Sequence, residues 1–258
     1  MGIVGKIKQI STSTLELLKE DPLLIDAFFA AKWLPESAFW QRASWYTGES
    51  VEKTKQEARA RFGKLPSPHG LWRFIPGKRK HWKKAYDWQA LEEQFLAEWE
   101  IPELDLHKYW QEITFLLAGY VPGYVTSQWT IPELTVSKKF KKDFLSFLVI
   151  KNSAWDGFPL VNAFGAGTEI GDETGYGYDR YLLPSKVEQI FDGLLELSLE
   201  GYQNRFIRES QKAEPLPWID WSEDKAEMLD CMTEYYNEMV DYYRCAVSQH
   251  QALLLYLT

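Results

Sequence analysis

The chain has 258 residues, of which 45% are hydrophobic and 26% charged, and its formal net charge is −8. This composition excludes a wholly disordered chain, because disordered chains lack the apolar residues that build a core. No stretch approaches the roughly 18 apolar residues of a membrane-spanning helix, and Met1–Lys6 lacks the apolar run of a signal peptide, so we predict a cytoplasmic protein without membrane contact.

Aromatic side chains are abundant, with 12 Trp, 14 Tyr and 14 Phe. One buried ring removes about 150–250 Å² from water, so such a core can close without disulfides or metals. Cys231 and Cys245 fall in one predicted helix, about 21 Å apart, where they cannot pair; two free thiols suit a reducing compartment. The length is near the upper size of one core, and we predict a single compact domain over residues 1–258, with two small domains as the alternative.

The N-terminal part of the chain predicts a strand followed by helices. Ile3–Ile10 has the apolar pattern of a strand. Asp21 and Pro22 are typical of a helix start, because the carboxylate can cap the first turn and proline suits its first position. Apolar residues then recur at helical spacing through Leu34, and residues 36–46 predict another short helix that is rich in aromatic side chains.

Residues 48–87 form a basic region that we interpret as an insertion. Between Val51 and Asp87, eleven Lys and Arg face three Asp and Glu, so this part carries +8 and the rest of the chain −16. Glycines and prolines between Gly48 and Pro76 predict a loop or a partly mobile arm. Trp72–Lys84 interleaves cations with rings, a pattern that can contact nucleic acid. Because the whole chain is acidic, nucleic-acid binding is disfavoured, and we expect this segment to lie against its own acidic body or in solvent.

The remaining chain predicts alternating helices and short strands. In the longest helix, which Ser222 is expected to cap, methionines and tyrosines form a stripe at spacings of four and three residues. Together the elements predict an α+β fold, with several helices packed around a small mixed or antiparallel sheet. The expected helices are 87–99, 105–117, 138–149, 186–197 and 223–247, and the expected strands are 180–183 and 252–257.

The segment Gly165–Arg180 is the most unusual stretch, with five glycines within thirteen residues. We expect an irregular loop here, because glycine permits positive φ, and loops with fixed polar side chains often carry function. Arg180 could bind a carboxylate or phosphate bidentately. The alternative, which we favour, is structural: Arg180 pairs with Asp172 or Glu173 and holds the loop against the core. The candidate binding residues are Asp172, Glu173, Tyr176, Tyr178 and Arg180.

The sequence carries no catalytic or cofactor signature. Its four histidines share no metal-ligand spacing, and no CxxC, GxSxG or GxxxxGK motif occurs. The glycines at 165, 167 and 171 approach a dinucleotide-binding fingerprint, but Ile170 stands where its third glycine belongs. We therefore predict no metal, no cofactor and no catalytic residue.

Four stretches carry a family resemblance: Met1–Gly5, the Trp-containing segment Lys108–Gly119, the block Ile170–Pro184 with its glycines, tyrosines and arginine, and the tail Tyr242–Leu257. With them the chain resembles the YfbM-like proteins, a bacterial family defined by a domain of unknown function. The resemblance covers about residues 1–34 and 104–258, and it implies a compact α+β fold but no activity. Where relatives place histidines beside the Trp helix, this chain has Gln111 and Thr114, which disfavours histidine chemistry there.

Two functions fit these observations. The first is a non-enzymatic intracellular binding protein, immunity-like in that it would neutralise a partner by binding it, with Gly165–Arg180 as the recognition surface. The alternative is an enzyme for a small anionic substrate, with Asp172 or Glu173 as general acid–base and Arg180 as anchor. We favour the first, with a protein or a small molecule as the unidentified partner; the oligomeric state is open.

Overall fold

The computed structural model describes residues 3–43, 45–62, 86–122, 135–136, 148–150, 155, 157–164, 167–174, 177–212, 219, 221 and 224–258. These residues form helices and antiparallel sheets, so the predicted α+β class is confirmed. None of the helices described is both long and apolar enough to cross a membrane. The helices are α1 (Thr12–Glu20), α2 (Ile25–Ala31), α3 (Phe39–Arg42), α4 (Glu49–Phe62), α5 (Trp88–Glu98), α6 (Trp110–Ala118), α7 (Pro184–Leu197), α8 (Leu199–Ser210) and α9 (Lys225–Ser248). The strands are β1 (Gly5–Ile10), β2 (Leu104–Asp105), β3 (Tyr120–Pro122), β4 (Thr135–Val136), β5 (Leu148–Ile150), β6 (Thr168–Thr174), β7 (Gly177–Leu182) and β8 (Ala252–Leu257).

The chain divides into two compact units, which we call the larger and the smaller unit. The larger unit contains residues 1–9, 104–169 and 173–258, and the smaller unit contains residues 10–103 and 170–172. That all 258 residues form one domain stays a prediction.

A five-stranded sheet has the order β2-β1-β8-β7-β6, and most of its residues belong to the larger unit; Ile10 of β1 and residues 170–172 of β6 belong to the smaller unit. Its central strand β8 is buried over five consecutive residues, as predicted for the tail. Neighbouring strands run antiparallel: Tyr181 of β7 faces Leu254 of β8, and Lys6 of β1 faces Asp105 of β2. Val4 and Thr258 exchange both backbone hydrogen bonds, at 2.9 and 3.0 Å, which is the antiparallel pattern. A second sheet has the order β3-β5-β4.

Helix α9 covers the core of the larger unit with the stripe that the sequence predicts. Met232, Met239 and Tyr243 are fully buried on one face of this 24-residue helix. Tyr243 donates a hydrogen bond to the carbonyl of Ala163 at 2.6 Å, so its hydroxyl is satisfied inside the core. The helix begins two residues later than expected. Its N-cap is Asp224, whose carboxylate accepts from two backbone N–H groups, and the expected cap Ser222 lies outside the described residues.

The smaller unit contains α1 to α5 around an aromatic core. The ring of Phe28 contacts the rings of Phe95 and Trp99 at centroid distances of 5.5 and 5.2 Å, and the Trp99 indole donates to the Phe28 carbonyl at 2.8 Å. Both carboxylate oxygens of the buried Glu98 accept a hydrogen bond from the backbone N–H of Ser11, which is the N-cap of α1. The interior of this unit therefore contains packed aromatic rings and one buried carboxylate whose hydrogen bonds come from the N-terminal end of a helix.

Three expected elements differ in the structure. Helix α4 occupies the first part of the region expected to be a loop, because Val51, Ala58 and Phe62 fall on one buried face; the remaining basic residues, 63–85, lie outside the described residues. Leu148–Ile150 is strand β5 instead of a helix end, as its β-branched residues favour. Residues 168–174 form strand β6 instead of an irregular loop.

Candidate functional site

The glycine-rich segment is a β-hairpin, formed by β6 and β7 at one edge of the five-stranded sheet. The expectation of an irregular loop was wrong, because pairing between the strands satisfies the hydrogen bonds of the backbone here. Gly167, just before β6, has a φ of +132°, and Gly171, within β6, has a φ of +82°. Of the five candidate residues, Tyr176 lies outside the described residues. Glu173 lies in β6, and its side chain is not described.

Arg180 is buried and engaged within the hairpin. Its Nη2 donates to Oε1 of Glu169 at 2.8 Å, and its Nη1 donates to the carbonyl of Gly167 at 3.4 Å. Among the described residues, the buried Nε has no hydrogen-bond partner. Burial lowers the pKa of the guanidinium, while the Glu169 carboxylate raises it. Arg180 therefore ties β7 to the start of β6, which is the bracing role that the sequence favoured. The carboxylate that it is seen to contact is Glu169, whereas Asp172 or Glu173 was expected.

Tyr178 and Asp172 are the two described candidates that reach solvent. Tyr178 is 38% exposed on β7, and Asp172 is exposed on β6. Two surface depressions, of about 590 and 330 Å³, lie along α1 and beside α7. Neither is lined by Asp172, Tyr178 or Arg180. Among the described residues, no three His, Cys, Asp or Glu side chains converge into a possible metal site.

The smaller unit carries a cluster of five rings, which we call the aromatic surface: Trp33, Phe39, Trp40, Trp45 and Tyr46. Trp45 and Tyr46 are exposed, and the other three are half-buried. Trp33, Phe39, Trp40 and Tyr46 contact each other edge to face at centroid distances of 4.7 to 6.2 Å. Trp45 is 73% exposed and Tyr46 43% exposed, and their ring centroids are 6.1 Å apart. Edge-to-face packing fixes the orientation of the rings beneath, so Trp45 stands beside a preordered platform.

A buried cation supports this cluster from within the unit. The Lys32 ammonium lies 4.9 and 5.0 Å from the ring centroids of Trp33 and Phe39 and 5.6 Å from that of Trp99. It also contacts Oε1 of Glu103 at 2.5 Å. Each ring face attracts the ammonium, so the charge pair and the rings hold one another in place. The sequence showed that residues 33–46 are rich in aromatic side chains. It did not predict which of these rings are exposed or that the buried Lys32 ammonium lies against them.

The fold and these surfaces define an α+β protein built on an antiparallel sheet, with one buried arginine brace and one exposed set of rings. The family model described as Domain of unknown function (DUF1877) matches residues 1–256, so the chain belongs to this family, which confirms the resemblance drawn from the sequence. The chain is also similar to the crystal structure of YfbM from Escherichia coli, a protein of unknown function, with 12% identity over 99% of both chains and a TM-score of 0.46. No curated protein matches the chain. None of these comparisons assigns an activity.

Proposed function

We propose that this protein acts by binding a protein partner through the aromatic surface, without catalysing a reaction. The observation that carries the proposal is the 73% exposure of Trp45 beside rings that are already fixed by edge-to-face contacts. Tryptophan and tyrosine dominate the few residues that supply most of the binding energy in protein interfaces. A ring that is exposed to solvent at a rigid site therefore contributes a large favourable free energy when a partner covers it.

The size of that gain follows from the exposed area. A tryptophan presents about 150–250 Å², and at about 25 cal/mol per Å² covering the exposed 73% of Trp45 stabilises the complex by about 3–5 kcal/mol. Because the supporting rings are held by each other, little rotamer entropy is lost on binding there. A single anchor of this kind can therefore decide whether a partner binds.

The hairpin plays a different part in this proposal. Arg180 is already engaged by Glu169, which removes the free guanidinium that the enzymatic alternative would use to anchor an anionic substrate. Tyr178 and Asp172 stay predicted recognition residues, because their exposure on the hairpin is compatible with a contact surface. No described feature favours catalysis over binding.

The experiment compares Trp45→Ala with Leu195→Ala in the full chain. Leu195 is 53% exposed on α7 and serves as the matched control, because it is also a large apolar side chain in solvent. Proteins captured from the source cells with the wild-type chain are identified, purified and titrated by calorimetry. We expect W45A to weaken the partner by at least about 2 kcal/mol, roughly 30-fold in Kd, while L195A binds like the wild type. Equal binding by all three chains, or no reproducible protein partner, would refute the proposal.

A further inference from the structure

Helix α8 of the larger unit concentrates positive charge on one side of an acidic protein. Arg205 and Arg208 are three residues apart on α8, which places them on neighbouring turns of one face, and Lys212 follows just beyond the last helical residue, Ser210. Glu209 is the carboxylate next to Arg208 near this end of α8. Among the described residues 205–212, three cations therefore accompany one anion, whereas the whole chain carries −8.

Glu209 is committed to Lys212. Its side chain is almost fully buried, and Oε2 contacts the Lys212 ammonium at 2.5 Å. The Nε of Arg208 is 3.8 Å from Oε1 of the same carboxylate, which is too long for a hydrogen bond. The carboxylate therefore neutralises Lys212 closely and Arg208 only at a distance.

Arg205 has no carboxylate partner in the part of the chain that the structure describes. Its Nη1 donates to the carbonyls of Leu116 and Leu117 at 3.0 and 2.5 Å, at the C-terminal end of α6. Its guanidinium also lies 4.5 Å from the ring centroid of the buried Trp155. Burial and the nearby charge of Arg208 both lower the pKa of Arg205, so the two guanidinium groups repel each other.

A purely structural role explains Arg205 but not Arg208. The carbonyls at the end of α6 and the helix dipole both favour a cation, so Arg205 acts as a cap there. Arg208 is also placed against Trp155, with its guanidinium 5.3 Å from the ring centroid, yet its side chain is 60% exposed. Its two terminal nitrogens make no hydrogen bond to any described residue, and the Arg205 guanidinium, which has the same charge, lies against the same Trp155 ring.

We propose that Arg205 and Arg208, held against Trp155, form a binding site for a phosphate group, either free or carried by a small phosphorylated molecule. The planar guanidinium of Arg208 can donate two parallel hydrogen bonds to phosphate oxygens. The contact with Trp155, at 5.3 Å from the guanidinium carbon to the ring centroid, restrains the Arg208 side chain, which lowers the entropy that binding would cost. The bound anion also relieves the repulsion between the two arginines. This site is independent of the aromatic surface and of its protein partner.

The test titrates the full chain with inorganic phosphate and, separately, with glucose 6-phosphate at low ionic strength, with sodium chloride at matched ionic strength as the control. Binding is followed by calorimetry and by the backbone amide NMR signals of α8. We expect saturable binding of at least one phosphate probe and no saturable response to chloride. Tighter binding of glucose 6-phosphate identifies an organic phosphate as the natural class, and equal binding identifies the free anion; both outcomes support the site.

Arg208→Gln and Arg244→Gln separate a specific site from a general charge effect. Arg244 is 56% exposed and pairs with Asp241 on α9, so it offers the same charge change elsewhere in the larger unit. We expect R208Q to weaken phosphate binding about tenfold or more and R244Q to leave it unchanged. Arg208→Lys retains the charge but not the two-pronged donor, and we expect an intermediate affinity. No saturable phosphate binding by the wild type, or equal weakening by R208Q and R244Q, would overturn the proposal.

Discussion

Replacing Lys32 by methionine tests how the aromatic surface is supported. The Lys32 and Glu103 side chains are only 9% and 12% exposed, and their charged atoms are 2.5 Å apart. Methionine keeps most of the packing volume of lysine but leaves the Glu103 carboxylate buried without its ammonium partner. Removing one member of such a pair costs about 3–5 kcal/mol, and the lost contacts of the ammonium with three rings add about 0.5–1 kcal/mol each where they are independent.

The assay is urea unfolding followed by tryptophan fluorescence, with the double variant Lys32→Met, Glu103→Leu as the control. We expect K32M to lower the free energy of unfolding by at least about 3 kcal/mol. The double variant removes both charges, so it should recover most of that loss, because a buried ion pair can often be replaced by apolar groups at little cost. If K32M loses less than about 1 kcal/mol, or if the double variant is no more stable than K32M, the cation does not support the rings as described.

Two further predictions concern the hairpin and the smaller unit. Arg180→Met should lower the free energy of unfolding by about 1–3 kcal/mol, because it removes a charged hydrogen bond to Glu169. Glu169→Gln should lower it less, because the glutamine keeps a neutral acceptor for Arg180. If R180M is as stable as the wild type but loses ligand binding, Arg180 is a recognition residue instead of a brace. Burial and the charge of Asp21 raise the pKa of Tyr86 to about 12, and its hydroxyl donates to Asp21 at 3.1 Å. Since the folded pKa lies above the unfolded value, the contribution of Tyr86 to stability is complete below about pH 10 and is lost as the pH rises towards 12. The difference in the free energy of unfolding between the wild type and Tyr86→Phe, measured in urea, should therefore shrink between about pH 10 and 12. A difference that stays constant over this range would contradict this assignment.

Regular periodicity and helix-end chemistry made much of the fold predictable. The apolar stripe of α9 can be predicted from the local sequence alone, because a helix repeats every 3.6 residues and the face that packs on the core must be apolar. Asp87 caps α5 by accepting from two backbone N–H groups, as predicted from its position. Gly119 ends α6 with a φ of +75°, in the left-handed region that glycine adopts without strain.

The elements that failed depend on contacts between distant parts of the sequence. Residues 49–62 are rich in charges, and only three widely spaced apolar residues mark the buried face of α4. In the hairpin, the glycines suggested a loop because local preference ignores the neighbouring strand that satisfies the backbone. The same limit explains Arg180: which of several nearby carboxylates it meets depends on strand pairing, and the partner is Glu169.

Fluorine NMR directly measures the solvent exposure of Trp45 in the intact chain, on which binding through the aromatic surface depends. The protein is labelled with 5-fluorotryptophan, and the Trp45 signal is assigned among the 12 tryptophans with Trp45→Phe. An exposed ring shifts when H₂O is exchanged for D₂O, whereas a buried ring does not. We predict a large solvent isotope shift for Trp45 in the free protein, and its loss when the partner is added. A Trp45 signal without a solvent isotope shift in the free protein would contradict the account.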